Sequence, residues 1–413
     1  MLSPIGGKLM HDAIVVGARC AGSPTAMLLA RKGYKVLMVD RTTFPSDMAF
    51  SNHFMHQAGS AVLKRMGLLD RLAATGCPPI TEDYFDYGAF SLTGPVPPCD
   101  GVNTAFAPRR IVLDPLLAAA AVEAGVELRE GVSVQDLLWE NDEVVGIRAR
   151  HKGKEMTEKA KIVIGADGMF SVVAKHAKAP ESKTQAGLEG SWYAYWSGVP
   201  MKGWHLWLRP HRVIFAYNTN DNLTLIGVAF PAREVPAVRE NIEHNHRSTI
   251  EQYAPELAER MRAGRRESGF TGGVIPYHVR RPYGPGWALV GDAGYQKDPC
   301  TASGITDAMR SAEWLAEAID AGFSGRQPLQ DALKKYEETR NQSEMAYFEM
   351  TTQLAALEPP PAELAQLLFA LQQNPEQKSR FFGVLSHSVR VEEFFAPENV
   401  QKIMDATGKG AAG

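Results

Sequence analysis

Hydrophobic positions change their spacing along this chain, and each change marks an element. In DAIVVGARCAGSPTAMLLARKGYKVLMVDR, residues 12–41, the run AIVVGA is short, apolar and β-branched, as a buried parallel strand requires. Pro24 follows where the first turn of a helix tolerates a missing N–H, TAMLLAR continues at helical spacing, and Gly33 supplies a C-terminal stop. KVLMVD then reads as a second strand. An apolar strand followed by glycine recurs in KIVIGADGMFSVV, which carries Gly165, Asp167, Gly168 and Ser171. It recurs again in GWALVGDAGYQKDPCTASGITDAMRSAEWLAEAI, which predicts a strand, a Gly291-Asp292-Ala293 turn, a loop with Pro299 and a long amphipathic helix from near Ser303 and Gly304.

Between 185 and 275 the period becomes two. GSWYAYWSGVP, GWHLWLRP, HRVIFAYNT and LTLIGVAFP alternate, are rich in aromatic and β-branched residues and are separated by turn residues, so they predict an antiparallel sheet. In strand geometry Tyr193 and Tyr195 share one face and Trp192 and Trp196 the other, while His205, Trp207 and Arg209 alternate with Trp204, Leu206 and Leu208. One aromatic face covers a ligand, or the rings are core. EHNH, with His244 and His246, reads as a polar loop; two histidines without a third ligand predict no metal site. After Gln327 the pattern turns helical, with a boundary at Pro359–Pro361 and a second helical stretch to the end that either caps the site or forms a dimer contact.

The first loop keeps the spacing of a dinucleotide-binding GxGxxG, but as Gly17, Arg19 and Gly22. Gly17 makes the tight turn and Gly22 lets helix and strand pack closely; an arginine between them requires a negative φ and an outward side chain, whose guanidinium then neutralises phosphate. Asp40 ends the second strand 18 residues beyond Gly22, where an acid accepts the ribose hydroxyls of an adenosine.

Composition narrows the remaining choices. At 413 residues with 45% hydrophobic and 22% charged positions the chain is an ordinary globular protein of two or three interleaved domains. A net charge of -3 without a basic block gives no reason to expect nucleic acid or an anionic membrane surface, so no polyanionic partner is expected. No run of eighteen apolar residues predicts a spanning helix, and MLSPIGGKLMHD lacks the apolar core of a signal peptide, so a cytoplasmic protein is expected. Cys20, Cys77, Cys99 and Cys300 form no CxxC pair and fit a reducing compartment.

The glycine loop, the DG motif and the GD motif, in this order, resemble the FAD-dependent monooxygenases of the p-hydroxybenzoate hydroxylase type and the related geranylgeranyl reductases, over roughly residues 12–345. The resemblance implies an α/β fold: a Rossmann-like FAD-binding domain (1–80, 105–180 and 280–345) interleaved with a substrate domain on an antiparallel β-sheet (81–104 and 181–279), plus C-terminal helices (346–413). It implies FAD at Gly17, Arg19, Cys20, Ala21, Gly22, Asp40 and Arg41 in the first unit. By motif position it adds Arg110, from APRRIVLDPLL, with Arg109 facing solvent; Asp167, as ligand or scaffold; and Gly291, Asp292, Pro299, Ser303, Gly304 and Ile305. Asp292 holds a ribityl hydroxyl, and the helix N-terminus faces the flavin pyrimidine edge. Tyr295 replaces a usual histidine and Ala302 a usual loop glycine.

The pocket candidates are His53, His56, Tyr193, Tyr195, Trp207 and Tyr295; His53 and His56 either line the pocket or bond backbone. Cys300 either packs or links to the cofactor. The implied reaction is NAD(P)H-dependent hydroxylation of an aromatic or other hydrophobic small molecule by dioxygen through a flavin hydroperoxide, with NADPH or NADH binding transiently. The alternatives are a geranylgeranyl-reductase-like double-bond reductase, then a flavin-dependent halogenase, whose WxWxIP element is absent, then a non-catalytic FAD-binding protein. A monomer or homodimer is expected.

Overall fold

The computed structural model describes residues 11–48 and 50–410, without the side chains of 407–410. Its first layer is a mainly parallel sheet in the order Tyr283–Gly284, Trp287–Leu289, Lys154–Gly165, His11–Val16, Val36–Val39, Glu127–Arg129. Only the edge pair Tyr283–Gly284 and Trp287–Leu289 is antiparallel along that path. Because side chains alternate along a strand, the sheet splits its own apolar run: Ala13 and Val15 pack with the helices Gly22–Arg31, Arg110–Glu123 and Gly304–Phe323, whereas Ile14 and Val16 pack on the other face. That second face is covered by a meander of Val132–Glu140 and Glu143–His151 running into Lys154–Gly165, an element the motif reading passed over.

The second layer is a sheet in the order Arg265–Arg266, Glu189–Ser197, Thr224–Pro231, Arg212–Asn218, Trp204–Arg209, Glu82–Asp86, Ser91–Pro95, with Thr271–Val274 also on Glu189–Ser197. Its strands are antiparallel except where Trp204–Arg209 runs parallel to Glu82–Asp86. Glu181–Gln185, Tyr277–Arg280 and Tyr295–Gln296 form a separate antiparallel three-strand sheet.

One face of the second sheet is closed by the helices Val235–Glu240, Ile242–Tyr253 and Pro255–Ala263. EHNH is therefore helical and not a loop. Asn241 caps its start by accepting the His244 N–H at 3.0 Å, and His246, fully buried against Phe270 at 4.7 Å between ring centroids, lies one turn before Ile250 on the inner face. A histidine that is neutral and buried counts as an apolar position, which the polar reading of EHNH missed.

The opposite face carries Tyr193, Tyr195, Trp204, Leu206, Tyr217 and Leu225, and the helices Ala362–Ala370 and Pro375–Leu385 pack into the same apolar cluster. Phe382 meets Phe85 edge-on at 5.1 Å, and His387 stacks on Tyr347 at 4.0 Å. The tail thus covers the aromatic face of its own chain. No helix among the described residues is long and apolar enough to cross a membrane.

Candidate functional site

The three glycine loops meet at the carboxyl ends of the parallel strands, where an α/β sheet offers its ligand crevice. The N–H of Ala166 binds Val16 O at 2.8 Å, which sets the second loop against the first. Gly17 takes φ 102° and approaches so closely that a Cβ there would lie 2.4 Å from Ala166 O; a Cβ on Gly22 would lie 1.8 Å from Gly17 O. On the other side a Cβ on Gly291 would come within 2.8 Å of Ala21 Cβ. Only glycine permits these approaches. Asp40 braces the same loop: one oxygen accepts the Ala18 N–H at 2.8 Å and the other the N–H and hydroxyl of Thr42. Arg41 beside it is exposed.

Arg19 does not have a positive φ, as required, but its side chain turns inward. Its guanidinium pairs with Asp114, donates to the hydroxyl of Ser46 at 2.8 Å and lies 5.4 Å from the Phe44 ring. Asp114 also accepts from Arg110 Nε at 2.9 Å, an i,i+4 pair, and from the Cys20 thiol. Arg110 is buried, donates to the Ser51 hydroxyl and acts electrostatically on Asp292. Burial raises the Asp292 carboxyl to about 6 against the pull of Arg110 and Lys297. Arg109, expected in solvent, instead lies 5.0 Å over the Tyr195 ring and pairs with Asp221 at 3.0 Å.

Asp167 serves local structure. Its carboxylate accepts the Ser171 hydroxyl and the N–H of Val172 at 2.7 Å, capping the short helix Val172–His176 with Ser171. In the third loop Asp298 caps Pro299–Thr301, and Ala302 adopts φ 53°, the left-handed conformation that its usual glycine would take without strain. Ser303 precedes the helix Gly304–Phe323 without capping it by its side chain. The first-turn N–H groups of such a helix have no intrahelical partner. Beside Gly304 the space within 4 Å of a Cβ is open, and Ile305 is buried in the core behind. The crevice fits an anionic dinucleotide: close-approach glycines, a buried arginine, and an uncapped helix start looking into open space.

The aromatic sheet grips the segment that separates it from these loops. Tyr193 donates to Ser51 O at 2.9 Å and Tyr217 to Asn52 O at 2.5 Å. His53, buried at φ 45°, donates from Nδ1 to Ala107 O at 3.0 Å, so its Nε2 accepts the Tyr195 hydroxyl at 2.9 Å. Burial lowers its pKa to about 3. His56 is equally buried, and its Nε2 donates to Thr301 O at 2.9 Å. Both histidines therefore bond backbone beneath the pocket. Trp207 lies on the far face with Trp192 and Trp196; the tryptophan on the pocket side is Trp204. Tyr295 also points away, donating to Glu344 O at 3.2 Å and packing on Phe348. The Cys300 thiol donates to Thr351 O.

Between sheet and third loop lies a cavity of about 30 Å³ lined by Asn52, Glu189, Trp204, Phe215, Tyr217 and Cys300. The indole N–H of Trp204 has no hydrogen-bond partner among the described residues. Larger hollows, about 400 Å³ around Tyr84, His205 and Arg260 and about 640 Å³ around Lys32, Trp314 and Lys335, do not touch the three loops. Sequence reading missed Trp204, Asn52 and Glu189. The first lies three positions before Trp207 on the opposite face of the same strand, and the signal for the last was an acid opening an otherwise apolar strand.

Below the helix start a buried set of charges joins the tail to the site. Lys297 pairs with Asp307 at 2.7 Å and Arg310 with Glu344 at 2.6 Å. Arg310 also donates to His387 Nδ1 at 2.9 Å, which leaves the imidazole proton on Nε2, 3.5 Å from Asp307. Asp307, Glu344 and His387 bring ligand-type atoms within 4.8 Å of one another, yet the two cations already balance the two carboxylates.

Comparison with known proteins agrees with this geometry. The FAD binding domain family model matches residues 10–351. The chain is 25% identical over 354 residues to digeranylgeranylglycerophospholipid reductase 1 of Methanococcoides burtonii, covering 80% of this chain and 79% of that one. It is 23% identical over 310 residues to 6-methylpretetramide 4-monooxygenase of Streptomyces rimosus, covering 73% of each. The structure of a flavin-dependent brominase superposes with a TM-score of 0.79 at 19% identity over 97% of this chain and 100% of that one, a likeness of fold. The chain belongs to the FAD-binding family of p-hydroxybenzoate hydroxylase type and is a flavin-dependent oxidoreductase.

Proposed function

We propose that this enzyme is an NAD(P)H-dependent monooxygenase that hydroxylates an aromatic or other hydrophobic small molecule. The observation that carries the reading is the aromatic sheet face, whose Trp204, Phe215 and Tyr217 are set across a small cavity from Pro299, Cys300 and Ala302 of the third glycine loop. The rings of this face supply affinity through burial and stacking with little polar matching, which suits a flat substrate. FAD would lie along Gly17, Cys20, Ala21 and Gly22, with Asp40 and Arg41 at its adenosine end. Gly291, Asp292 and Arg110 would hold the ribityl chain, and Pro299, Ser303, Gly304 and Ile305 would lie at its ring. Once bound, it supplies the electron transfer and the activation of dioxygen. The chain supplies position, charge and dryness: the uncapped helix start offers N–H groups and the positive end of its dipole to negative charge developing on the ring. The tail helices cover the aromatic face.

The four cysteines are free thiols, which fits a reducing compartment such as the cytoplasm. A second reading, saturation of a double bond, is favoured by the similarity to the methanogen reductase. The test is kinetic: reduce the flavin-loaded protein anaerobically with NADPH, admit oxygen, and screen aromatic compounds for faster NADPH oxidation. Substrate-stimulated oxygen consumption with a hydroxylated product is the expected result. Slow reaction with oxygen together with consumption of an alkene would establish the reductase instead.

A further inference from the structure

The helix Gly304–Phe323, whose uncapped start looks into the crevice, carries an acid in its first turn, where a negative charge cancels part of the positive end of the dipole. That acid, Asp307, is buried and belongs to the charge cluster below the helix start. Lys297 of the third loop pairs with it at 2.7 Å and also lies 3.8 Å from Glu344 of the helix Leu329–Ala355. Glu344 has a second cation, Arg310, at 2.6 Å. Asp307 therefore shares the one Lys or Arg paired with it among the described residues, while Glu344 has a partner of its own. From the tail, His387 Nε2 stands 3.5 Å from Asp307 Oδ1. Asp307 Oδ1 and Glu344 Oε2 accept no hydrogen bond from the described residues. The Tyr295 and Tyr347 hydroxyls complete the titratable surroundings.

Two carboxylates against an ammonium and a guanidinium leave the cluster neutral, with bare oxygens that can take one proton. The acid with the weaker hold on a cation is Asp307, so a proton added to the cluster goes there. Hydride transfer to a bound flavin adds one negative charge to the ring. In an effective dielectric of about 20, a negative charge about 10 Å from a buried carboxyl eases its protonation by about one pH unit.

We propose that Asp307 is a redox-linked proton site, which takes up a proton from solvent as flavin at the helix start is reduced and returns it on reoxidation. In the reduction a hydride donor, a reduced nicotinamide, loses a C–H bond with both of its electrons, and the flavin gains the hydride and one negative charge. A separate solvent proton forms an O–H bond on Asp307, so the charge added to the ring is balanced inside the protein. Burial raises the Asp307 carboxyl to about 7 against the pull of Lys297, with Glu344 adding to the rise, so at neutral pH the carboxyl is poised and a new negative charge tips it toward the acid. His387, lowered by burial and then by Arg310 and Lys297, stays neutral; Tyr295 and Tyr347, raised by burial, keep their protons. The inference rests on flavin lying at the helix start and not on which substrate is oxidised.

The test is the midpoint potential of the flavin-loaded protein as a function of pH, set at an electrode with mediator dyes so that no nicotinamide is needed. The slope reads protons taken up per two electrons, and one accompanies the flavin itself. Near about pH 7.5 the wild type is expected to take up about half a proton more, the share that a shift of about one pH unit moves there. Asp307→Asn is expected to take up none beyond the flavin's own. A second proton on the flavin at lower pH appears in both proteins and cancels in the comparison. No excess in the wild type, or an equal excess in Asp307→Asn, overturns the proposal. The infrared difference between reduced and oxidised wild type is expected to gain a protonated-carboxyl band that shifts in heavy water; its absence overturns the proposal even where Asp307→Asn does not fold. Excess proton uptake without hydroxylation overturns the monooxygenase reading alone, and hydroxylation without the excess overturns this inference alone.

Discussion

Asp114 holds Arg19 with one carboxylate oxygen and Arg110 with the other, so the residue that replaces the middle glycine of the first loop is tied to the buried arginine that acts electrostatically on Asp292. Arg19 keeps the loop open by leaving it: the side chain leads back to a fully buried acid on the helix Arg110–Glu123 instead of lying where phosphate would pass. The loop therefore depends on a residue 95 positions away.

Asp114→Asn leaves two guanidinium groups sharing one neutral acceptor. Removing one partner of a buried ion pair costs about 3–5 kcal/mol, and here two pairs share the partner. The expected outcome is a melting temperature lowered well beyond that of a surface variant, together with weaker FAD binding in a fluorescence titration. If stability falls and flavin affinity does not, Asp114 supports the fold alone.

Gly22 and Gly304 separate packing from ligand contact. A Cβ on Gly22 would lie 1.8 Å from the backbone oxygen of Gly17, an overlap that no rotamer relieves, so Gly22→Ala is expected to yield no folded, yellow protein. A Cβ on Gly304 meets nothing within 4 Å. Gly304→Ala is therefore expected to melt at or slightly above the wild-type temperature without flavin, since alanine favours the helix. Its FAD affinity is expected to fall by about ten-fold, a modest steric cost. Unchanged affinity would mean that the flavin does not approach the helix start.

Trp204 and Trp207 lie three positions apart in one strand, on opposite faces. Trp204→Phe removes an indole N–H without a hydrogen-bond partner among the described residues, so stability is expected to change little while the affinity of aromatic ligands drops. Trp207→Phe is expected to cost about 1–2 kcal/mol of stability and leave ligand affinity alone, because its ring packs beneath the covering helices. A substrate-stimulated NADPH assay beside thermal melting decides; equal effects of the two variants on ligand affinity would show that the cavity is not the binding site.

The elements most legible in the chain were those whose signal is local. AIVVGA and KVLMVD flank Gly17 and Gly22 closely enough that period, turn and helix stop all lie in one window, and the strands His11–Val16 and Val36–Val39 with the helix Gly22–Arg31 follow. Side-chain direction was not local. Arg19 turns inward because of Asp114, Arg109 leaves solvent because Tyr195 and Asp221 wait for it, and Trp207 faces away because of strand register. Each depends on a partner more than 20 residues distant or on a one-residue shift, which periodicity cannot fix. The three helices over the back of the sheet were hidden because their stripe includes His246, which reads as polar in sequence and is buried in the fold.

His246 makes acid sensitivity a test of that burial. Nε2–H donates to Ile226 O at 3.3 Å, Nδ1 has no hydrogen-bond partner among the described residues, and burial lowers its pKa from 6.5 to about 4. A histidine whose folded pKa is depressed stabilises nothing by charge; its neutral burial is fully tolerated above 6.5, and stability is lost as the pH falls from 6.5 toward 4 because the unfolded chain takes up the proton first. His246→Leu removes that uptake and gives up one hydrogen bond worth about 1 kcal/mol, an offset independent of pH. The melting-temperature difference between variant and wild type is expected to be flat above about pH 7 and to move in favour of the variant below 6.5, by up to about 1.4 kcal/mol per pH unit. His53 and His56 carry shifts of the same sign in both proteins and cancel in the difference. A difference that stays flat down to pH 4 would place His246 in contact with water and displace the helix Ile242–Tyr253 from the sheet.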